Sequence, residues 1–210
     1  MEIVCKQWTE DLEINGYNIR DILSLIKGAY GERAKEGISF ETLNYSIDDF
    51  LAERTNADYW FLAFDEDNHL YGTARLTIKD NWGEICNFSV SPSCQGKHVG
   101  AQLLQKANKF AKSLRLDYVK SYTAMKATSS VKCHIHNGYD IVGILSYLNK
   151  DYSSYVFRCQ LAPVHRLSYK GMIFSQYIKT YILYKMKKKS NGHNTWLGDF
   201  MLLIKKRKES

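Results

Sequence analysis

Long apolar runs are missing from this chain. No stretch approaches the roughly 20 consecutive apolar residues that a membrane-spanning helix needs. The amino-terminal MEIVCKQWTEDLEI carries acids early and no uninterrupted apolar segment, which argues against a signal peptide. Cysteine pairs at CxxC spacing are missing too. The five cysteines, Cys5, Cys86, Cys94, Cys133 and Cys159, are odd in number and read as free thiols in a reducing cytoplasm, the expected location. His134 and His136 lie near Cys133, but the CHIH run has no second cluster at zinc-finger spacing, so no metal is expected. Excess positive charge is absent from most of the sequence. Residues 1–162 hold 18 Lys and Arg against 20 Asp and Glu, a net of −2, whereas residues 163–210 hold 11 against 2, a net of +9. The overall +7 therefore belongs to the tail, and a nucleic-acid role for the whole protein finds little support.

What is present suits one full folded domain plus a modest appendage. A hydrophobic fraction of 45% in 210 residues can bury a real core. Glu2–Trp8 reads as a short strand, residues 17–30 as a helix through Ile19, Ile22, Leu23, Leu25 and Ile26, and Leu43–Arg54 as a second helix with Asp48 and Asp49 on its polar side. Tyr59–Asp65 and Leu70–Lys79 flank the polar turn Asp65-Glu66-Asp67-Asn68 and read as a hairpin. Gly83–Val90 reads as a third strand that Ser91-Pro92 stops, because proline has no ladder donor. The strongest helix follows Gly100, with Leu103, Leu104, Ala107, Phe110, Ala111 and Leu114 along one face. Tyr118–Tyr122 reads as a strand, Ser129–His136 as a helix, and Ile141–Tyr147 and Ser154–Leu161 as two last strands. This order predicts a mixed α/β fold, with a central sheet of about six to seven strands flanked by about four helices. Its single βαβ step falls where a ligand loop is useful.

Ser93–Gly100 sits between a strand and a strong amphipathic helix. Such a loop presents successive backbone N–H groups to an anion, helped by the helix dipole. Gly96 and Gly100 permit close approach, and Lys97 adds positive charge. Alone, the loop is weak evidence and reads first as an ordinary βα turn. Its context extends the reading. From Glu84 to Tyr139 the chain resembles the GNAT superfamily of N-acetyltransferases, whose signature is Gln/Arg-x-x-Gly-x-Gly/Ala after a strand that often ends in a Pro-containing loop. Gln95-Gly96-Lys97-His98-Val99-Gly100 follows this pattern and departs from it at His98, where the signature has Gly. Asn137-Gly138-Tyr139-Asp140-Ile141-Val142-Gly143 is similar to the family's Gly-Phe-x-x-x-Gly ending, and the element order matches over about residues 2–161.

The resemblance implies acetyl-CoA as co-substrate and direct transfer of the acetyl group to a primary amine of a small molecule or peptide. It implies that the pantetheine arm pairs with the open strand edge at Phe88, Ser89 and Val90. The pyrophosphate would take N–H groups from Gln95, Gly96, Lys97, His98, Val99 and Gly100. Glu84, eleven residues before Gln95, resembles the glutamate base of some members, and reads equally as a surface strand residue. His134 stands where many members carry the tyrosine acid. The first two helices and the loop between them, with Glu32, Arg33, Lys35 and Glu36, would contact the acceptor. A CoA-binding or docking module of the same fold with little turnover is the competing reading.

Beyond Pro163, Phe174, Tyr177, Ile178, Tyr181 and Ile182 form an apolar stripe at helical spacing, ended by Lys185-Met186-Lys187-Lys188-Lys189. After the turn Ser190-Asn191-Gly192, a second apolar segment, Trp196–Ile204, precedes Lys205-Lys206-Arg207-Lys208. The domain is read as 1–162 and the basic extension as 163–210. Three roles compete for the extension: packing on the domain or on a second copy in a homodimer, peripheral membrane contact through 170–208, and an acidic partner.

Overall fold

The computed structural model describes residues 2–189 apart from 10, 11, 36, 39 and 148–151. Residues 190–210, including the second apolar segment and the last basic cluster, lie outside the described residues, as does Glu36. The chain runs β1 (Glu2–Gln7), β2 (Glu13–Ile14), β3 (Tyr17–Asn18), α1 (Ile19–Ala34), α2 (Ile47–Ala52), β4 (Asp58–Phe64), β5 (Leu70–Lys79) and β6 (Trp82–Val90). It continues with α3 (Val99–Ser113), β7 (Tyr118–Ala124), α4 (Thr128–His136), β8 (Asp140–Ser146), β9 (Ser153–Gln160) and α5 (Arg166–Lys189).

Local chemistry sets the early boundaries. Asn15 and Gly16, at φ 54° and 81°, make the tight left-handed turn of the small β2–β3 hairpin. Asn18 then caps α1: its Oδ1 accepts the Arg20 N–H, and the Asp21 carboxylate accepts the Asn18 N–H, both at 2.8 Å. The second helix is shorter than the sequence predicts. A 3-10 turn at Glu41–Asn44 precedes it, and extended Ser46 (ψ 173°) starts α2 with a second capping box. Asp49 belongs to that box: it accepts the Ser46 N–H and its own N–H donates to Ser46 Oγ.

Seven strands form one sheet in the order β1-β4-β5-β6-β7-β9-β8. Only β6 and β7 pair in parallel, across the α3 crossover; the other neighbours are antiparallel. Alternation along β4 builds a core on each face. Trp60, Leu62 and Phe64 meet Ile22, Leu23 and Ile26 of α1 and Phe50 of α2. Phe61 and Ala63 meet Leu103, Leu104, Ala107 and Ala111 of α3. Each large side chain buried here contributes about 1.5–3 kcal/mol. Gly72 on β5 lets α3 settle closely: a Cβ there would lie 2.9 Å from Val99 and Leu103. Leu114, expected on the buried face of that helix, is 41% exposed, because it is the C-cap and lies past the last packed turn.

Candidate functional site

The site begins where β6 and β7 part. Their parallel ladder runs from Trp82 with Tyr118 to Ile85 with Ser121 and then ends, leaving Cys86–Val90 without a strand partner on that side among the described residues. On its other side β6 pairs with β5 through Thr73–Ser89 and Gly72–Val90, but the register shifts before Arg75–Cys86. Asn87 and Phe88 are therefore a bulge without ladder partners, and Asn87 is left-handed at φ 47°. The Ser91 N–H donates to Tyr71 O at 2.7 Å. Since main-chain groups alternate sides along a strand, Ser89 also faces β5, and Val90 faces the gap. This corrects one expectation: Ser89 is committed to β5 and wholly buried, so the free edge consists of the Asn87–Phe88 bulge and Val90.

The edge leads into the glycine loop. After the 3-10 turn Pro92–Cys94, Gly96 turns at φ 80°, and His98 is left-handed at φ 61°, ψ 9° as the N-cap of α3. The conformation explains why the family signature has glycine at this place. His98 makes no side-chain cap, and Gln102 is the first residue of the helix whose N–H finds an acceptor upstream, at His98 O. The N–H groups of Gly96, His98, Val99, Gly100 and Ala101 have no backbone acceptor among the described residues. Gly100 seats the helix against β6, where a Cβ would lie 3.0 Å from Phe88 and 3.3 Å from Cys133 Sγ. Gln95, Gly96, His98, Val99 and Gly100 line a groove of about 580 Å³, together with Phe88 and Val90 of β6, Ser129, Lys132, Cys133 and His136 of α4, and Arg33 of α1. Lys97 lies outside it and lines a separate pocket with Asp65 and Gln102, and, against expectation, the N–H groups of Gln95 and Lys97 are engaged by Pro92 O and Cys94 O.

A cleft of about 60 Å³ adjoins the groove between the diverging strands, lined by Tyr30, Arg33, Phe40, Asn87, Ser121 and Tyr122 among others. Arg33, Phe88 and Ser130 line both spaces. Glu84 stands at the closed end of the gap, in register with Thr77 and Lys120, one pair before the strands part. The Tyr122 hydroxyl is pushed up to about 12 by burial and by Glu84. Cys86 is likewise held as a thiol, up to about 12 through burial, and burial raises Cys133 as well, so neither offers a thiolate for covalent chemistry.

His134 is not where an acid should be. It is fully buried on α4, stacked on Phe157 at 4.9 Å and edge-on to Phe88 and Tyr139. Its Nδ1 lies 2.8 Å from Ser130 O and its Nε2 3.0 Å from Ser121 Oγ. Burial lowers it to about 4, so the ring is neutral at pH 7. Nδ1–H donates to the carbonyl and Nε2 accepts the serine hydroxyl, which leaves no proton for a departing thiolate. Tyr139 packs in the core, with its hydroxyl donating to Asn108 Oδ1 at 2.7 Å. Gly138, left-handed at φ 81°, ends α4 ahead of it. One other polar cluster, Asp65, Asp67 and His69, gathers within 4.8 Å at the β4–β5 turn. Asp65 accepts the His69 N–H there at 2.7 Å.

Sequence reasoning missed the α4 wall and the cleft residues Tyr30, Asn87, Ser121 and Tyr122. The spacing of Ser129, Lys132, Cys133 and His136 did carry a signal, since those positions share one helical face.

Residues 19–139 match the model of the acetyltransferase (GNAT) family. The chain belongs to that family. Among curated proteins none matches the sequence. Solved structures share the fold. Spermidine N-acetyltransferase from Vibrio cholerae, in complex with CoA and spermine, has a TM-score of 0.57 at 18% identity, over 76% of this chain and 95% of that one. The N-acetyltransferase of a ribosomal-protein alanine from Escherichia coli has 0.58 at 9%, over 78% and 97%. A GNAT acetyltransferase from Staphylococcus aureus has 0.58 at 16%, over 77% and 100%. These likenesses carry the fold; α5 lies outside the residues that the family model matches. The seven-stranded mixed sheet agrees with the element order of the sequence, and the C-terminal helix with the helical spacing beyond Pro163.

Proposed function

We propose that this GNAT protein is an N-acetyltransferase that moves an acetyl group from acetyl-CoA to a primary amine by direct attack in a ternary complex. One observation carries the reading: an unpaired strand edge at Asn87–Val90 runs into a helix N-terminus with unsatisfied N–H groups at Gly96 and His98–Ala101. That sequence of donors suits an extended amide chain ending in a diphosphate. Acetyl-CoA brings an activated thioester, and the residues of the chain bind and orient it. Val90 pairs with the pantetheine arm, the bulge peptide stabilises the oxyanion, and Gly96 and His98–Ala101 hold the pyrophosphate with Arg33 and Lys132 at the rim. The amine enters through the cleft beside Ser121 and Tyr122. Glu84 takes its proton at the closed end of the gap. The nitrogen–carbon bond forms and the carbon–sulfur bond breaks, releasing CoA as the thiolate. His134 acts as a positioning residue that fixes Ser121 and α4 on the two sides of the cleft.

The test is release of free CoA thiol from acetyl-CoA in the presence of a panel of primary amines, including polyamines, amino acids and amino sugars. Release that depends on one amine class supports the proposal. Acetyl-CoA binding without turnover on any of them would favour the module of the same fold.

A further inference from the structure

Helix α5 is held to the sheet along one side only. β8 is an edge strand, and the Ile144 N–H on that edge donates to Thr180 Oγ1 at 3.0 Å. Gly143 makes room for this hydroxyl, since a Cβ there would lie 3.1 Å from it. About three turns before Thr180, the Tyr169 hydroxyl donates to Asp140 Oδ2 at 3.0 Å. Tyr169, Ile173, Tyr177, Thr180 and Tyr184 are half-buried on this side, so Tyr177 belongs to the packed face and not to the outer stripe predicted from spacing.

The opposite side is apolar and bare. Leu167 is 76% exposed and Phe174 69%, and Ile178, Tyr181 and Ile182 continue the row along the same face. Basic side chains border it: Lys170 at one margin, Lys179 at the other, and Lys185 at its end. From Arg166 to Lys189 there is no Asp or Glu, while residues 1–162 are slightly acidic.

From these features we infer that α5 docks the protein on an anionic lipid surface, lying in the plane of the interface with Leu167, Phe174, Ile178 and Ile182 inserted and the lysines at headgroup level. The occupant is decided by the combination of apolar face and one-signed charge. A second copy would bring the same lysines to the seam and repel it. A nucleic acid would pair with the lysines but offers nothing apolar for Phe174 and Leu167. An anionic bilayer interface satisfies both, because acyl chains take the stripe and phosphates take the ammonium groups. No described helix is long and apolar enough to cross a membrane, so the contact is peripheral. It is independent of the catalytic proposal.

The test is co-sedimentation of the full chain with vesicles of phosphatidylcholine alone and of phosphatidylcholine mixed equally with phosphatidylglycerol. We expect binding to the mixed vesicles that weakens as salt rises, and little binding to the neutral ones. The double substitution Phe174→Glu with Ile178→Glu lies on the exposed face. It should lower the partition coefficient by about tenfold or more and leave the rise in melting temperature with acetyl-CoA unchanged. The inference is overturned by three results: full chain that stays in the supernatant with mixed vesicles, equal binding to both vesicle types, or a salt-insensitive dimer that the double substitution dissociates.

Discussion

Replacing His98 with glycine should make the protein more stable without weakening its hold on acetyl-CoA. His98 sits at φ 61°, ψ 9° as the N-cap of α3, where an L-residue is destabilised by about 1–2 kcal/mol because Cβ crowds the following carbonyl. Its side chain makes no hydrogen bond at the cap and is exposed, so removing it costs little in contacts. Glycine relieves the crowding but adds freedom to the unfolded chain, worth about 0.4–1 kcal/mol in the opposite direction. The balance favours His98→Gly by about 0.5–1 kcal/mol, or about 1–4 °C in melting temperature for a chain of this size. His98→Ala is the control: it keeps the Cβ, so it should show no gain. Both variants retain the backbone donor, so acetyl-CoA affinity should stay within about threefold of wild type. Calorimetry of the three proteins decides the matter. A glycine variant no more stable than the alanine variant refutes the left-handed assignment and the account of why the signature has glycine there.

Other perturbations separate the remaining parts of the account. His134 falls to about 4 in the folded protein from an ordinary value near 6.5, so the unfolded chain binds the extra proton between those values. Stability should be full above about pH 6.5 and decline by about 3 kcal/mol as pH falls to about 4; His134→Gln should start lower and flatten that decline in acid-unfolding curves. Ser89→Pro should destabilise by about 1–3 kcal/mol through its lost ladder bond with Thr73, whereas Val90→Pro should mainly weaken acetyl-CoA binding, by about tenfold; equal effects of the two on both readouts would contradict the edge assignment. Glu84→Gln should lower kcat by about a hundredfold or more with the acetyl-CoA Kd unchanged, and a kcat within twofold of wild type in stopped assays would remove Glu84 as the base.

Much of the fold could be read directly because its elements have strong periodic patterns. β4, β5 and α3 carry alternation or helical spacing that burial then uses, and Pro92 and Gly138 mark real ends. The β2–β3 hairpin leaves no pattern because two-residue strands have no period, and the apolar spacing around α2 runs past its true start because the Ser46–Asp49 capping box looks like helix interior. At the site, the glycine loop and the Val90 edge could be read from position in the chain. The Asn87–Phe88 bulge could not, because a one-residue register shift depends on what β5 presents opposite. Family position alone suggested His134 as an acid; only packing against Phe157, Ser130 and Ser121 shows that its ring nitrogens are engaged. The same holds for α5, where Tyr177 and Ile178 look alike in sequence, yet Tyr177 is half-buried against the sheet and Ile178 is exposed.

The central claim, that the unpaired N–H groups of Gly96 and His98–Ala101 hold a pyrophosphate at the end of an open strand edge, is tested most directly by calorimetric titration with acetyl-CoA and with acetyl-pantetheine, which lacks the diphosphate. Two charge-assisted hydrogen bonds of about 1.5–3 kcal/mol each should make acetyl-CoA bind about a hundredfold tighter or more. Equal affinity for the two compounds, or no heat with acetyl-CoA, would contradict it.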